Sequence, residues 1–404
     1  MSKQIPTHKK KRLVIVGGGF GGVKTALRLA KEKNLDITLI SDKDHFLYYP
    51  ALYATATGGS HLQSVALLAD IFSAFPQVRI IQDTVAGLDA QRHHITTVQG
   101  KHYEYDYVVL AIGVVTSYFG IEGLAEFSYG IKSYPEVKRF KKHLHDELVA
   151  DRELDKNYMV VGAGPTGVEL SAAMESYLEA IAHNHKIRKR KVHVNLIEAA
   201  PRVLPRMSER ASQAVEQRLK SVGVRVMTNK KVESQDDDSI IISGKDIPSR
   251  TVVWTSGVSN HPFYKEHSDL FKLAPNGRVI VDSHLEGAPN VYVIGDNAAT
   301  QYTGLAQTAL HDAIFVSKVI GARLHGRAMP MYKAKNPPVV IPVGKNWAIF
   351  EWHKLRFGGW AASIVRRMAD AIGYHDVLPI GQALGAWKAE YVQEEDCPVC
   401  AATL

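Results

Sequence analysis

Leu13-Val14-Ile15-Val16-Gly17-Gly18-Gly19-Phe20-Gly21-Gly22 reads as a buried strand running straight into a glycine turn. Four consecutive apolar residues suit a strand covered on both faces, and the glycines cut the run short. A helical pattern follows through Ala26, Leu27, Leu29 and Ala30, and a second strand, Ile37-Thr38-Leu39-Ile40, closes the unit. The same order returns later. Met159-Val160-Val161 leads into Gly162-Ala163-Gly164-Pro165-Thr166-Gly167, a helix runs through Leu170, Ala173 and Tyr177, and Val192 to Ile197 is the returning strand. Gly17 and Gly162 are 145 positions apart, so the chain holds two copies of one strand–turn–helix–strand unit.

In a Gly-x-Gly-x-x-Gly turn the first glycine permits the strand-to-helix reversal. The second leaves room for a pyrophosphate, and the third lets the helix pack on the strand. The helix N-terminus then presents free N–H groups and a partial positive charge to the phosphates. Gly17, Gly19 and Gly22 keep this spacing, as do Gly162, Gly164 and Gly167. One motif is a weak signal, but two copies in the right context predict two dinucleotide sites. Glu198 ends the returning strand of the second copy, where a carboxylate accepts both ribose hydroxyls and repels a 2′-phosphate, favouring NAD(H) over NADP(H). At the matching place in the first copy stand Ser41 and Asp42, and either can hold the ribose. Three more apolar runs end in glycine: Tyr107 to Gly113 with Ala111, Thr251 to Gly257 with Ser256, and Val291 to Gly295. Asp296 follows the last, ahead of a helix predicted to begin near Gly304. An aspartate there can bond a ribityl chain, or serve as a plain helix cap.

The 404 residues suit two or three compact units. Apolar residues make up 46% and charged ones 22%, an ordinary globular balance. The net charge of +8 is scattered, with its densest runs at His8 to Arg12 and Lys186 to Lys191, and no aromatic platforms accompany them. Nucleic-acid binding is not expected. Two cysteines, Cys397 and Cys400, exclude a disulfide framework and fit a reducing compartment. The sequence shows no secretory core and no run of apolar residues long enough to span a bilayer.

These motifs together resemble the two-dinucleotide flavoproteins, and within them the type II NADH dehydrogenases. The resemblance rests on Gly17 to Gly22, His45-Phe46-Leu47-Tyr48-Tyr49-Pro50-Ala51-Leu52-Tyr53, Gly162 to Leu170, and Gly295-Asp296 with Ala306-Gln307-Thr308-Ala309. It implies an α/β fold with two Rossmann-like, three-layer dinucleotide-binding domains and a C-terminal amphipathic helical module. The FAD domain is expected at 1–114 and 276–335, the inserted NADH domain at 115–275, and the membrane-docking module and tail at 336–404. The implied activity passes a hydride from NADH to FAD and then two electrons to a quinone, without proton pumping. The implied location is peripheral (monotopic), on the cytoplasmic side of the cell membrane, in a respiratory chain; a homodimer is an open alternative.

The resemblance gives Glu169 a proton-handling role near nicotinamide and flavin. The sequence places it on the first turn of a helix, where the dipole alone favours a carboxylate. After Gly295-Asp296 the family carries Ala-Gln-x-Ala-x-Gln, with two glutamines at the quinone. Here Gln307 is kept, His311 takes the second position, and Thr303-Gly304-Leu305 replaces the usual Pro-Pro-Thr. Gln307 and His311 lie four residues apart and are expected on one helix face at the acceptor pocket. His311 can donate a proton there, or pack against Tyr48, Tyr49 and Tyr53. The thiol-dependent relatives (disulfide reductases, sulfide:quinone oxidoreductases, cysteine-dependent oxidases and peroxidases) need cysteines that this chain lacks. A reductase of a small iron–sulfur protein, or an FAD/NADH sensor without turnover, remain the alternative functions.

Beyond Pro337-Pro338, Trp360, Ile364, Met368 and Ile372 form a stripe with Arg366, Arg367 and Asp370 off it; Ile380, Leu384, Trp387 and Tyr391 continue the pattern. Such helices suit a membrane interface, or else core packing or a dimer contact. Cys397-Pro398-Val399-Cys400 has no second pair and reads as an inert tail. A dithiol, or half of a four-cysteine site shared between two chains, is the alternative, and no metal is assigned.

Overall fold

A computed structural model describes residues 10–149, 155–187 and 192–402. Residues 8, 9 and 188–191 of the two basic runs lie outside them. The chain opens with β1 (Lys11–Val16), α1 (Phe20–Leu29), β2 (Leu35–Ser41), β3 (Val78–Gln82) and β4 (Tyr107–Leu110). Leu13 to Val16 are each 3% exposed or less, so no position of β1 meets water and the apolar run has no reason to alternate. After α2 (Tyr134–Val149) the repeat begins: β5 (Asn157–Val161), α3 (Pro165–Asn184), β6 (His193–Ile197), β7 (Arg225–Met227) and β8 (Thr251–Trp254). The chain then supplies β9 (Glu286–Ala288), β10 (Val291–Val293) and the long α4 (Ala306–Leu324).

The first sheet has the order β9-β10-β4-β1-β2-β3, parallel except for β9. The second, β7-β6-β5-β8, is wholly parallel. Strands from either end of the chain share the first sheet, so the second unit is inserted into the first. The two connections cross side by side as an antiparallel ribbon, Val114–Thr116 with Val258–Asn260. Just beyond it, Phe263, Tyr264 and Phe271 pack with Val14, Val16 and Leu110 of the first unit. The duplication holds at the level of single hydrogen bonds. Gly17 N–H donates to the Ile40 carbonyl at 2.8 Å, and Gly162 N–H to that of Ile197 at 2.7 Å. Ser41 is therefore the counterpart of Glu198.

The C-terminal segment holds more than the two expected helices. An antiparallel sheet of β11 (Val339–Pro342), β12 (Ala348–Trp352) and β13 (Leu355–Gly359) precedes α5 (Trp360–Val377) and α6 (Ile380–Lys388). Its apolar runs are too short for periodicity to separate strand from loop. Tyr374, Val377, Leu378, Ala383 and Ala386 share one core with Phe20, Phe46 and Tyr48, so this segment is built into the first unit.

Candidate active site

The two glycine turns fulfil the same three tasks. Gly17 at φ +109° lies against the Ala111 carbonyl, and Gly162 at φ +107° against the Ser256 hydroxyl, so neither tolerates a Cβ. Gly22 and Gly167 touch the carbonyls of Gly17 and Gly162, which locks helix to strand. At Gly19 and Gly164 an added Cβ would meet nothing within 4 Å, so that face is open space. α1 and α3 begin immediately after those two residues with no side-chain cap, leaving their first N–H groups for a ligand. Open space beside uncapped N–H groups is what a pyrophosphate requires, so both turns fit a dinucleotide.

The N-termini of α1, α3 and α4 open on one cleft of about 540 Å³. Gly17, Gly19, Phe20, Ser41, Asp42, Ala111, Gly113, Gly295, Asp296, Ala306 and Gln307 line it from the first unit, and Pro165, Thr166 and Glu169 from the second. Gly22 sits under the first turn. Gly162, Gly164, Gly167, Glu198, Ser256 and Gly257 surround the second turn outside the cleft. The Glu198 carboxylate accepts from Ala163 N–H at 2.7 Å and Ala200 N–H at 2.8 Å, which fixes it at the end of β6. Ser41 is 2% exposed and its hydroxyl accepts from Lys43 N–H at 3.2 Å, whereas the exposed Asp42 pairs with the Lys43 ammonium at 3.0 Å.

Glu169 is the fifth residue of α3, just past the first turn expected for it, because the helix starts at Pro165. The dipole argument therefore does not apply; a cation from the C-terminal segment holds the carboxylate instead. Arg366 Nη1 donates to Glu169 Oε1 at 3.0 Å, its Nε to Asp370 Oδ2 at 2.7 Å, and its Nη2 to the Pro50 carbonyl at 2.8 Å. Tyr48 donates to Asp370 Oδ1 at 2.9 Å and stacks on Tyr374 at 4.1 Å between centroids. Burial pushes the Glu169 carboxyl up to about 7, with Arg366 opposing it. Arg366, Asp370 and Pro50 also line a second cleft of about 460 Å³, which continues past Tyr53 to Trp387 and Tyr391.

On the opposite wall, Asp296 Oδ1 accepts from Gly304 N–H at 3.1 Å, and burial raises its carboxyl. Gln307 lines the cleft and its amide reaches the Pro338 carbonyl at 3.4 Å. His311 does not join it there. Its Nε2 donates to the Lys333 carbonyl at 2.9 Å beside Tyr332, and the lining of the cleft stops at Leu310. Four residues along a helix turn a side chain by about 40° and raise it by about 6 Å, enough to carry the second position out of the cleft. The packing alternative differs too, since its neighbour is Tyr332 and not the Tyr48, Tyr49, Tyr53 group. The adjacent Asp312 points into the protein interior behind the cleft wall and, like His311, does not line the cleft. Fully buried, it accepts from Gly295 N–H at 3.0 Å and from the Tyr332 hydroxyl at 2.6 Å, and burial pushes it up to about 6. No spacing in the sequence marks Asp312, because its partner at the site is a backbone amide.

Two pyrophosphate-type turns, one lining the cleft and the other opening onto it through Pro165 and Thr166 of α3, define an oxidoreductase that brings two dinucleotides together. The sequence pattern of the pyridine nucleotide-disulphide oxidoreductases matches residues 11–313. The type II NADH:quinone oxidoreductase NdhA of Mycobacterium tuberculosis is 30% identical, over 94% of this chain and 87% of its own length. The type II NADH:quinone oxidoreductase of Staphylococcus aureus is 24% identical, over 94% of this chain and 99% of its own. Among solved structures, that of NDH2 from Plasmodium falciparum in complex with NADH superposes with a TM-score of 0.86 at 18% identity, covering 95% of this chain and 98% of that one. The chain belongs to the type II NADH:quinone oxidoreductases, within the pyridine nucleotide-disulphide oxidoreductase family.

Proposed function

We propose that the common cleft is where NADH meets FAD, and that Glu169, held by Arg366, manages the protons of quinone reduction. The chain oxidises NADH through FAD and passes two electrons to a quinone without pumping protons. The observation that carries the assignment of roles is that one cleft is lined by the first glycine turn, by Pro165 and Thr166 at the start of α3, and by Glu169. FAD, when bound, accepts the hydride and returns the electrons. Gly17, Gly19, Gly22 and the α1 N-terminus would hold its pyrophosphate. Ser41 or Asp42 would hold its ribose, Ala111 and Gly113 would flank it, and Gly295 and Asp296 would meet its ribityl chain. The α4 N-terminus at Ala306 and Gln307 brings uncapped N–H groups to the same wall. NADH would lie on Gly162, Gly164, Pro165, Thr166 and Gly167, with Ser256 and Gly257 beside it. Arg366 occupies Glu169 Oε1, so the proton that the carboxyl exchanges near neutral pH belongs on Oε2. The second cleft, reaching from Arg366 to Trp387 and Tyr391, is the proposed path of the quinone, with Gln307 as a hydrogen-bonding partner. For the domains we propose the ribbon Val114–Thr116 with Val258–Asn260 as the division, since Phe263, Tyr264 and Phe271 already serve the first core.

Glu198 is the proposed selector of NADH. Glu198→Ala is expected to narrow the preference over NADPH by on the order of 1–3 kcal/mol, the scale of a repelled charged contact. Comparing kcat/KM for the two nucleotides reads this directly, and a wild type equally efficient with both would contradict it.

Among the described residues no helix is long and apolar enough to cross a membrane. Trp360 (70% exposed), Met368 (59%), Ile372 (64%) and Ile380 (67%) nevertheless form one apolar face. Arg367 lies over Trp387 and Tyr391 at its margin. That face is proposed to rest on the membrane where the second cleft ends, keeping the enzyme peripheral. Because the inner side of α5 belongs to the main core, the face is tested by substitution and not by truncation. Met368→Glu with Ile372→Glu should abolish co-sedimentation with liposomes and leave flavin reduction by NADH unchanged. Unaltered co-sedimentation would reassign the face to a contact between two copies of the chain.

A further inference from the structure

His145, His185, Cys397 and Cys400 bring one donor atom each to a single point, all within 4.8 Å of one another. The four come from three separate elements. His145 is on α2, His185 is the residue that ends α3, and of the cysteines Cys397 caps the short helix Pro398–Ala401 while Cys400 lies within it. Cys-x-x-Cys over one helical turn sets both sulfurs on the same side, and the two are not joined in a disulfide. His145 Nε2 and His185 Nε2 are 3.3 Å apart, and His185 Nε2 is 3.5 Å from each sulfur.

Those separations have a specific meaning. A tetrahedral metal bound at about 2.0–2.1 Å to nitrogen and about 2.3 Å to sulfur has nitrogen–nitrogen edges of about 3.3 Å and nitrogen–sulfur edges of about 3.5 Å. The three distances from His185 Nε2 match these edges, and the remaining pairs stay within 4.8 Å, close enough for one ion to draw them together. We propose that the four residues bind one zinc ion. Two imidazoles and two thiolates in tetrahedral array suit zinc among the divalent metals, and four protein ligands leave no position for chemistry. The site is structural. Each thiol releases its proton to solvent as its sulfur binds.

The course of the tail explains what the ion would hold. Beyond α6, Gln393 pairs with Gly59, the Glu394 carboxylate accepts from His61 N–H at 2.9 Å, and Tyr177 on α3 donates to Glu395 at 3.1 Å. The tail is thus laid across α3 before its cysteines meet the two histidines. Zinc there staples the C-terminal segment, which carries Arg366, to the helix that carries Glu169. The sequence shows the cysteine pair but not its partners, because the histidines lie 212 and more positions away on different helices.

The full-length flavin-loaded enzyme, purified without chelators, tests this by elemental analysis. About one zinc per chain is expected. After chelator treatment, titration with cobalt(II) alone should saturate at one equivalent. It should give the strong visible bands of a tetrahedral ion with a thiolate charge-transfer band. Cys397→Ser and His145→Ala should each weaken cobalt binding by tenfold or more, while an intact flavin spectrum shows that the variants are folded. The proposal is overturned if the protein carries no zinc and cobalt gives only a pale six-coordinate spectrum. It is equally overturned if both variants bind like the parent, or if mass analysis of the native chain finds Cys397 and Cys400 oxidised to a disulfide.

Discussion

Glu169→Gln lowers turnover with NADH and a soluble quinone by about 10²-fold or more, the usual contribution of a positioned acid or base. FAD content and NADH affinity change little, because glutamine keeps the shape and can still accept from Arg366. In the parent enzyme the quinone half-reaction falls as pH rises through about 7, where the buried carboxyl loses its proton; in the glutamine variant that limb is gone. The neighbouring cation sharpens the test. Arg366 opposes the effect of burial, so Arg366→Ala removes a stabiliser of the carboxylate and moves the limb to higher pH. Arg366→Lys keeps the charge, loses the fork that spans Glu169, Asp370 and Pro50, and should fall between the two. The rate of flavin reoxidation against pH, followed for all four proteins, checks this. A glutamine variant that retains the limb would remove Glu169 from the proton path.

Gly19→Val yields a folded protein that has lost its flavin, and Gly164→Val a yellow protein that NADH no longer reduces. Both glycines have extended backbone that valine accepts, and nothing among the described residues stands within 4 Å of the added Cβ. On the proposed assignment, the group that the side chain displaces is the pyrophosphate. Gly22→Ala behaves differently. Its Cβ would strike the Gly17 carbonyl, so it destabilises the first unit itself, by about 1–3 kcal/mol or more. Flavin absorbance, thermal melting and the rate of flavin bleaching by NADH separate the three outcomes. Full flavin in Gly19→Val would mean that the first turn does not hold the pyrophosphate.

The features legible in the sequence are those whose physics is local. Each glycine turn acts over six consecutive residues, so spacing alone states which glycine bends, which clears space and which packs. Glu198 could be named because a strand end is a fixed distance from its own turn. Arg366 could not, since its partners Glu169 and Pro50 lie 197 and 316 positions away. On a helix with an apolar stripe, the residues off the stripe look solvent-facing, and here the stripe is the exposed face while Arg366 and Asp370 point inward. The same reversal explains why α5 combines a candidate membrane face with a wall of the active site. His311 is the converse case. The cleft ends at Leu310, so a row read from helical spacing alone runs past it, and Asp312 lies behind its wall.

Stopped-flow measurement of the two half-reactions tests the central claim most directly. NADH should bleach the flavin of the parent enzyme rapidly, NADPH far more slowly, and a soluble quinone should then restore its colour faster than dioxygen or a ferredoxin does. A flavin that NADH reduces but quinone does not reoxidise would contradict the account.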